Sequence, residues 1–221
     1  SIVLFLSCYN LGCGKKETEP QTTTQHGSSI KLEGDAPSVH KKTMADEEIE
    51  KNKKLLETNP NDARIHYNLG LLYEEKGMFD ESLASYKKAS ELNPTMVESL
   101  VGQGNILNKK GKSDEAISAF KKAIDVNPRY AEAHEGLGLV YIHKKQEEDA
   151  IKEFNKALDI NPSLVNSRYN LGILYAKKAQ FNEAIAEWTR ALEINPQKTA
   201  VYYNLGIAYS KLGKVDDAIS V

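Results

Sequence analysis

Residues Ala63–Met96 read ARIHYNLGLLYEEKGMFDESLASYKKASELNPTM, and the chain then repeats this pattern. The Asn93-Pro94 near its end recurs at Asn127-Pro128, Asn161-Pro162 and Asn195-Pro196, and Asn59-Pro60 precedes it, always 34 residues apart. Units begin at Ala63, Val97, Ala131, Val165 and Thr199, the last one cut short. The eighth residue of each is glycine (Gly70, Gly104, Gly138, Gly172, Gly206), and the eleventh is large (Tyr73, Leu107, Tyr141, Tyr175, Tyr209). The twentieth is small (Ser82, Ala116, Ala150, Ala184, Ala218). The twenty-fourth is aromatic (Tyr86, Phe120, Phe154, Trp188), and the twenty-seventh is Ala89, Ala123, Ala157 or Ala191. A fixed period of this length marks a repeat architecture in which each unit packs on its neighbours.

Within each half-unit the apolar residues recur at spacings of three and four, one face of an α-helix. The spacing predicts two helices per unit. Small residues at positions 8, 20 and 27 let them approach closely, and the aromatic at 24 fills the space between units. Asn-Pro ends the second helix, because a residue before proline avoids the α region and proline has no N–H to donate. Gly77, Gly111 and Gly213 fall at the turn inside the unit, where a left-handed backbone suits glycine. Lys145 and Ala179 stand at the same place in the other two units, so their turns are expected to be less favourable or differently shaped.

Composition narrows the function. The net charge is −2, which gives no electrostatic case for nucleic acid. The two cysteines, Cys8 and Cys13, precede the repeats, so the repeats hold neither a disulfide framework nor a thiolate metal site. No histidine pair has helical ligand spacing, and no phosphate loop or nucleophile elbow occurs. The reading is of a chain with no enzyme site, no metal and no cofactor.

Position by position, the units resemble the tetratricopeptide repeat over residues 63–221. The resemblance implies an all-α fold, a right-handed α-solenoid of antiparallel helix pairs whose first helices line a concave groove. Residues 45–62 fall where a preceding second helix would lie and are read as an N-terminal capping helix, with Ile49, Leu55 and Leu56 packing on the first unit. By the same resemblance the groove takes positions 2, 5, 6, 9, 12 and 13. Positions 5 and 6 are Tyr67-Asn68, Val101-Gly102, Glu135-Gly136, Tyr169-Asn170 and Tyr203-Asn204. Leu71, Asn105, Ile173 and Ile207 stand at position 9, and Lys109, Lys177 and Lys211 at position 13. Asparagine amides can hydrogen-bond an extended peptide backbone, although Gly102 and Gly136 interrupt the row, and tyrosines supply flat contact area. The groove expectation centres on Tyr169, Asn170, Ile173, Tyr203, Asn204 and Ile207, with Lys177 and Lys211 favouring a segment of some acidic character. Positions 5 and 6 lack the basic residues of the family's carboxylate clamp.

Residues 1–13, SIVLFLSCYNLGC, are apolar, and residues 14–44 are polar and rich in Gly, Pro, Ser and Thr. The first stretch is too short to span a bilayer as it stands. It resembles a bacterial lipoprotein signal in which the cysteine after Leu11-Gly12 becomes lipidated, although Asn10 stands where leucine is usual. Cys13 is the expected acceptor and Cys8 the weaker competitor. An uncleaved anchor and ordinary secretion are the other readings of this stretch. Residues 14–44 are expected to be a disordered tether, a flexible chain with a reach of about 30 Å.

The sequence starts at Ser1 and stops within a repeat, which reads as a fragment. The overall expectation is a protein-interaction scaffold, membrane-anchored in a bacterial cell envelope, binding a protein or peptide. The alternatives are an accessory domain of a larger enzyme, such as a glycosyltransferase, and a cytoplasmic adaptor.

Overall fold

A computed structural model describes residues 43–220 of the chain. Residues 1–42, with the expected leader, most of the expected tether and the expected lipid acceptor Cys13, lie outside the described residues. Thr43 and Met44, read from sequence as the end of the tether, are the N-cap and first residue of helix α1, Met44–Thr58. Thr43 and Asp46 form a reciprocal capping box, which fixes this start.

The five units follow as helix pairs. These are α2 (Ala63–Glu75) with α3 (Phe79–Leu92), α4 (Val97–Lys109) with α5 (Ser113–Val126), and α6 (Ala131–His143) with α7 (Glu147–Ile160). Then come α8 (Val165–Lys177) with α9 (Phe181–Ile194), and α10 (Thr199–Lys211) with the short α11 (Val215–Ser220). Each helix packs on its sequence neighbours, and the described residues form no strand, so the fold is an all-α repeat solenoid. On α1, Ile49 is buried and Leu56 half-buried, whereas Leu55 is exposed. The apolar interior falls into three successive clusters along the array, as nearest-neighbour packing requires.

The Asn-Pro punctuation works in two ways. Asn93, Asn127, Asn161 and Asn195 hold extended backbone at the ends of α3, α5, α7 and α9. Their side-chain oxygens then accept the backbone N–H two residues on, at 3.0–3.1 Å. The same side chain that suits the pre-proline position therefore also closes the inter-unit turn.

Inside each unit the turn is left-handed at Gly77, Gly111 and Gly213, with φ of 70–73°. Lys145 and Ala179 take the same conformation, at φ 59° and 58°. The turn shape is thus kept in those two units. The closing hydrogen bond is kept too, Gln146 N donating to Tyr141 O and Gln180 N to Tyr175 O, each at 2.9 Å.

The aromatic at position 24 sits between units. Tyr86, Phe120, Phe154 and Trp188 are all fully buried. A Cβ added at Gly70 or Gly102 would meet the Tyr86 ring at 2.5 and 2.7 Å, and one at Gly104 or Gly136 would meet Phe120 at 2.7 and 2.3 Å. Each ring thus presses on position 8 of its own unit and, where glycine allows, position 6 of the next. Direct packing between successive first helices is concentrated where those position-6 glycines lie, α2 on α4 and α4 on α6.

Candidate functional site

The first helices bring positions 2, 5, 6, 9, 12 and 13 of successive units into neighbouring places, but these residues do not share one environment. In unit 1, Tyr67 is half-buried with its ring 5.7 Å from that of Tyr86, while Asn68 and Leu71 are exposed. Tyr67 and Asn68 line a hollow of about 400 Å³ with Arg64, Met96 and Glu98. Burial, then the carboxylates of Glu98 and Glu74, raise the Tyr67 phenol above its ordinary pKa. Tyr130 is raised in the same way, by burial and then by Glu132 and Glu98.

Asn105 is half-buried in unit 2. Lys109 is exposed, yet its ammonium lies 2.8 Å from Glu74 and 5.6 Å from the centre of the Phe79 ring. Lys177 pairs with Glu147 at 3.1 Å.

Units 4 and 5 differ residue by residue. Tyr169 is half-buried, and its carbonyl accepts the Trp188 indole N–H at 3.1 Å. Asn170 turns its amide back to the Asn166 carbonyl, 2.8 Å away on its own helix. Ile173 is buried in the cluster that surrounds Trp188. Asn204 is only 3% exposed, with its amide nitrogen 3.5 Å from the Tyr169 hydroxyl, so it fills the space between α8 and α10. Tyr203 is 53% exposed. With Ile207 and Lys211 it lines a hollow of about 510 Å³ that also takes in Tyr202, Gly206, Ser210 and Ala218; position 8 is the place that the position-24 ring covers in units 1–4, and position 24 of unit 5 lies beyond Val221. The structure therefore gathers Tyr203, Ile207 and Lys211 at one open site. It gives Ile173 and Asn204 packing positions behind it.

Two polar networks set the geometry behind this face. The lysines at position 14 pair with acids 30 residues earlier, Lys76 with Asp46, Lys110 with Asp80, Lys144 with Asp114 and Lys178 with Glu148. This ladder ties the end of each first helix to the start of the second helix one unit back. Leu212 and Asn182 occupy the next such pair of places, so the ladder stops there. The second network holds the inter-unit loops. His66, His134, Arg168 and Tyr202, all at position 4, each reach the carbonyl of the proline six residues earlier, at 2.9–3.3 Å. His134 and Arg168 also meet the carboxylates of Glu153 and Glu187, at 2.6 and 2.8 Å. The histidines thus have structural partners, and among the described residues no three metal-ligating side chains converge.

Sequence reasoning passed over Lys198. It ends the loop before α10, and its ammonium lies 2.8 Å from Asn166 Oδ1 and 5.0 Å from the centre of the Tyr169 ring. The signal was present at position 34, where the earlier units carry the large apolar Met96, Tyr130 and Leu164. Among the described residues no helix is long and apolar enough to cross a membrane.

Comparison with known proteins agrees with this architecture. Tetratricopeptide-repeat profiles match residues 63–96, 101–164 and 153–186, and a TPR-repeat profile matches residues 178–213. No curated protein matches the chain. Among solved structures, the chain is 27% identical to the MamA protein over 72% of this chain and 86% of that one, with a TM-score of 0.61. It is 25% identical to YrrB, described as a TPR protein with an unusual peptide-binding site, over 78% of this chain and 89% of that one, again with a TM-score of 0.61. PilF of Pseudomonas aeruginosa shares the fold, with a TM-score of 0.70 at 19% identity over 80% of this chain and 87% of that one. With its 34-residue helix pairs in register and these profiles together matching residues 63–96 and 101–213, the chain is a tetratricopeptide-repeat protein.

Proposed function

We propose that this protein is a binding scaffold that receives a peptide or protein segment on the first-helix face of units 4 and 5, and that it works tethered to a bacterial cell-envelope membrane through lipid on Cys13. The observation that carries the groove reading is the set of side chains that the first helices of units 4 and 5 present, Tyr169 with Lys198 on its face and Tyr203, Ile207 and Lys211 on the next first helix. A tyrosine left half-exposed beside an aliphatic side chain is amphipathic contact area, of the kind that recognition surfaces use. The peptide-binding site described for YrrB supports the class of partner. The anchor reading rests on the apolar leader ending at Leu11-Gly12-Cys13 and the polar stretch after it. Two or more acyl chains hold a protein firmly where one holds only marginally.

The groove is tested by placing a photo-crosslinking residue at Tyr203 or at exposed Lys121, on a second helix, in cells that make the full protein. A discrete adduct from position 203 and none from position 121 supports the groove. Equal or absent adducts at both sites count against it. The anchor is tested separately by membrane fractionation and by mass of the mature N-terminus. Cys13→Ser is expected to release the protein or leave it unprocessed, with Cys8→Ser without effect. Normal processing and membrane retention in Cys13→Ser would remove the anchor from the account.

A further inference from the structure

The lysines at the ends of α2, α4 and α8, and Lys144 at the end of α6, are paired. Lys76, Lys109, Lys110, Lys144, Lys177 and Lys178 each have a carboxylate partner. Lys198 is different. It is half-buried, and no salt bridge joins it to a carboxylate among the described residues. It is nonetheless fixed in place, by the Asn166 amide oxygen at 2.8 Å and the face of Tyr169 at 5.0 Å. Both partners stand at groove positions, 2 and 5 of unit 4. The equivalent residue three units earlier, Met96, lines the hollow with Tyr67 and Asn68, so position 34 opens onto the same face.

We propose that Lys198 is the anchor for an acidic side chain of an extended segment lying across units 4 and 5. This rests on the groove reading above and adds the partner's chemistry to it. A cation taken partly out of water with only neutral ligands is one half of an ion pair, and an arriving carboxylate restores the interaction that desolvation removed. The ammonium is already oriented, so little side-chain freedom remains to be lost on binding. Burial also lowers the Lys198 pKa, with Glu135 opposing the shift. Glu135 does not reach Lys198 in a salt bridge; its Oε2 accepts the Ser167 hydroxyl at 2.6 Å. Lys198 caps α10, the helix that carries Tyr203, Ile207 and Lys211. A segment seated at Lys198 therefore continues along α10 past Tyr203 and Ile207 toward a second cation, Lys211. That continuity favours an internal aspartate or glutamate over a chain terminus.

The test uses the full chain, labelled with nitrogen-15, and a pair of synthetic peptides with blocked ends. One has the sequence Gly-Leu-Tyr-Glu-Leu-Gly, and its twin carries glutamine for glutamate. Amide shifts in α8 and α10 report binding. The glutamate peptide is expected to bind about tenfold more tightly than its twin at low salt, the worth of about 1.4 kcal/mol. That advantage is expected to shrink at high salt and to vanish in Lys198→Met, whose thermal midpoint confirms that it folds. Equal binding of the twins to the natural protein overturns the acidic anchor and leaves the groove standing. An advantage that survives in Lys198→Met moves the anchor away from Lys198 and overturns the proposal. Preference confined to peptides with a free carboxyl end overturns it as well. If neither peptide perturbs α8 or α10, the groove reading fails with it.

Discussion

Replacing Lys145 and Ala179 with glycine should stabilise the protein. Both residues hold the left-handed conformation, at φ 59° and 58°. For an L-residue that conformation costs roughly 1–2 kcal/mol. Glycine removes this cost but has more freedom to lose from the unfolded chain, about 0.4–1 kcal/mol. The net expectation is about 0.5–1 kcal/mol gained at each site. Packing does not enter the balance, because both side chains are exposed. At the matching glycines 77, 111 and 213 an added Cβ meets nothing within 4 Å, so the turn itself has no steric demand beyond its backbone. The double variant should gain about 1–2 kcal/mol, a rise in thermal midpoint of about 2–4 °C for each kcal/mol in a chain of this size. Urea denaturation at matched slopes is the assay, and Gly111→Ala is the reciprocal control, expected to lose a similar amount. Unchanged or lower stability in the double variant, with Gly111→Ala neutral, would refute the argument that these turns carry strain.

Other perturbations report on packing and charge. Trp188→Ala should cost about 3–5 kcal/mol, since the ring is 1% exposed and anchors the cluster between units 4 and 5; hydrogen exchange should rise first in α8–α11, and uniform loosening would contradict a nearest-neighbour array. Gly136→Ala should destabilise by about 1–3 kcal/mol, because its Cβ would stand 2.3 Å from the buried Phe120 ring, and a urea midpoint equal to that of the natural protein would show that the ring can move. The Lys76 ammonium and the Thr43 cap hold the Asp46 carboxyl well below the usual carboxylate range, Lys110 lowers Asp80, and the Glu148 backbone N–H together with Lys178 lowers Glu148. Folded values below unfolded ones mean that this contribution is complete above about pH 5 to 6 and is lost progressively as the pH falls through and below the ordinary carboxylate range. Asp80→Asn should therefore flatten the acid limb of the stability curve, more at low salt than at high, and an unaltered limb would remove Lys110–Asp80 from the account.

The repeat was legible because its determinants recur at one period. Gly70, Tyr86 and Ala89 announce their roles by standing in the same place in every unit. What escaped was contact between unlike positions. The Lys–acid ladder runs at an interval of 30 residues, so a comparison at 34 aligns lysines with lysines and never sees the pairing. Lys198 reaches back to Asn166 and Tyr169, again across positions that the alignment keeps apart. Sequence treats Asn170 and Asn204 alike, yet one folds back on its own helix and the other is enclosed against Tyr169. Their difference comes from the neighbouring helix, which a single unit does not encode. The glycines at 102 and 136 looked like gaps in a row of amides, but they are the clearance that the Tyr86 and Phe120 rings require.

That clearance also bears on how such a chain can change length. Tyr86 and Phe120 are keys whose locks are split, half in their own unit and half in the next, so those junctions are interchangeable only where the second half matches. Loss of residues 97–130 in register would set Tyr86 against Gly136, and the lock would be preserved. Loss of residues 131–164 would set Phe120 against Asn170, the position-6 residue that follows Phe154 at the natural junction, so the ring would have to give up its close seat on Gly136. Junctions that look equal in sequence period are therefore unequal as recombination points. Drift in repeat number should leave the ring seats unchanged at the amino-terminal end of the array and require a ring to shift where glycine gives way to asparagine.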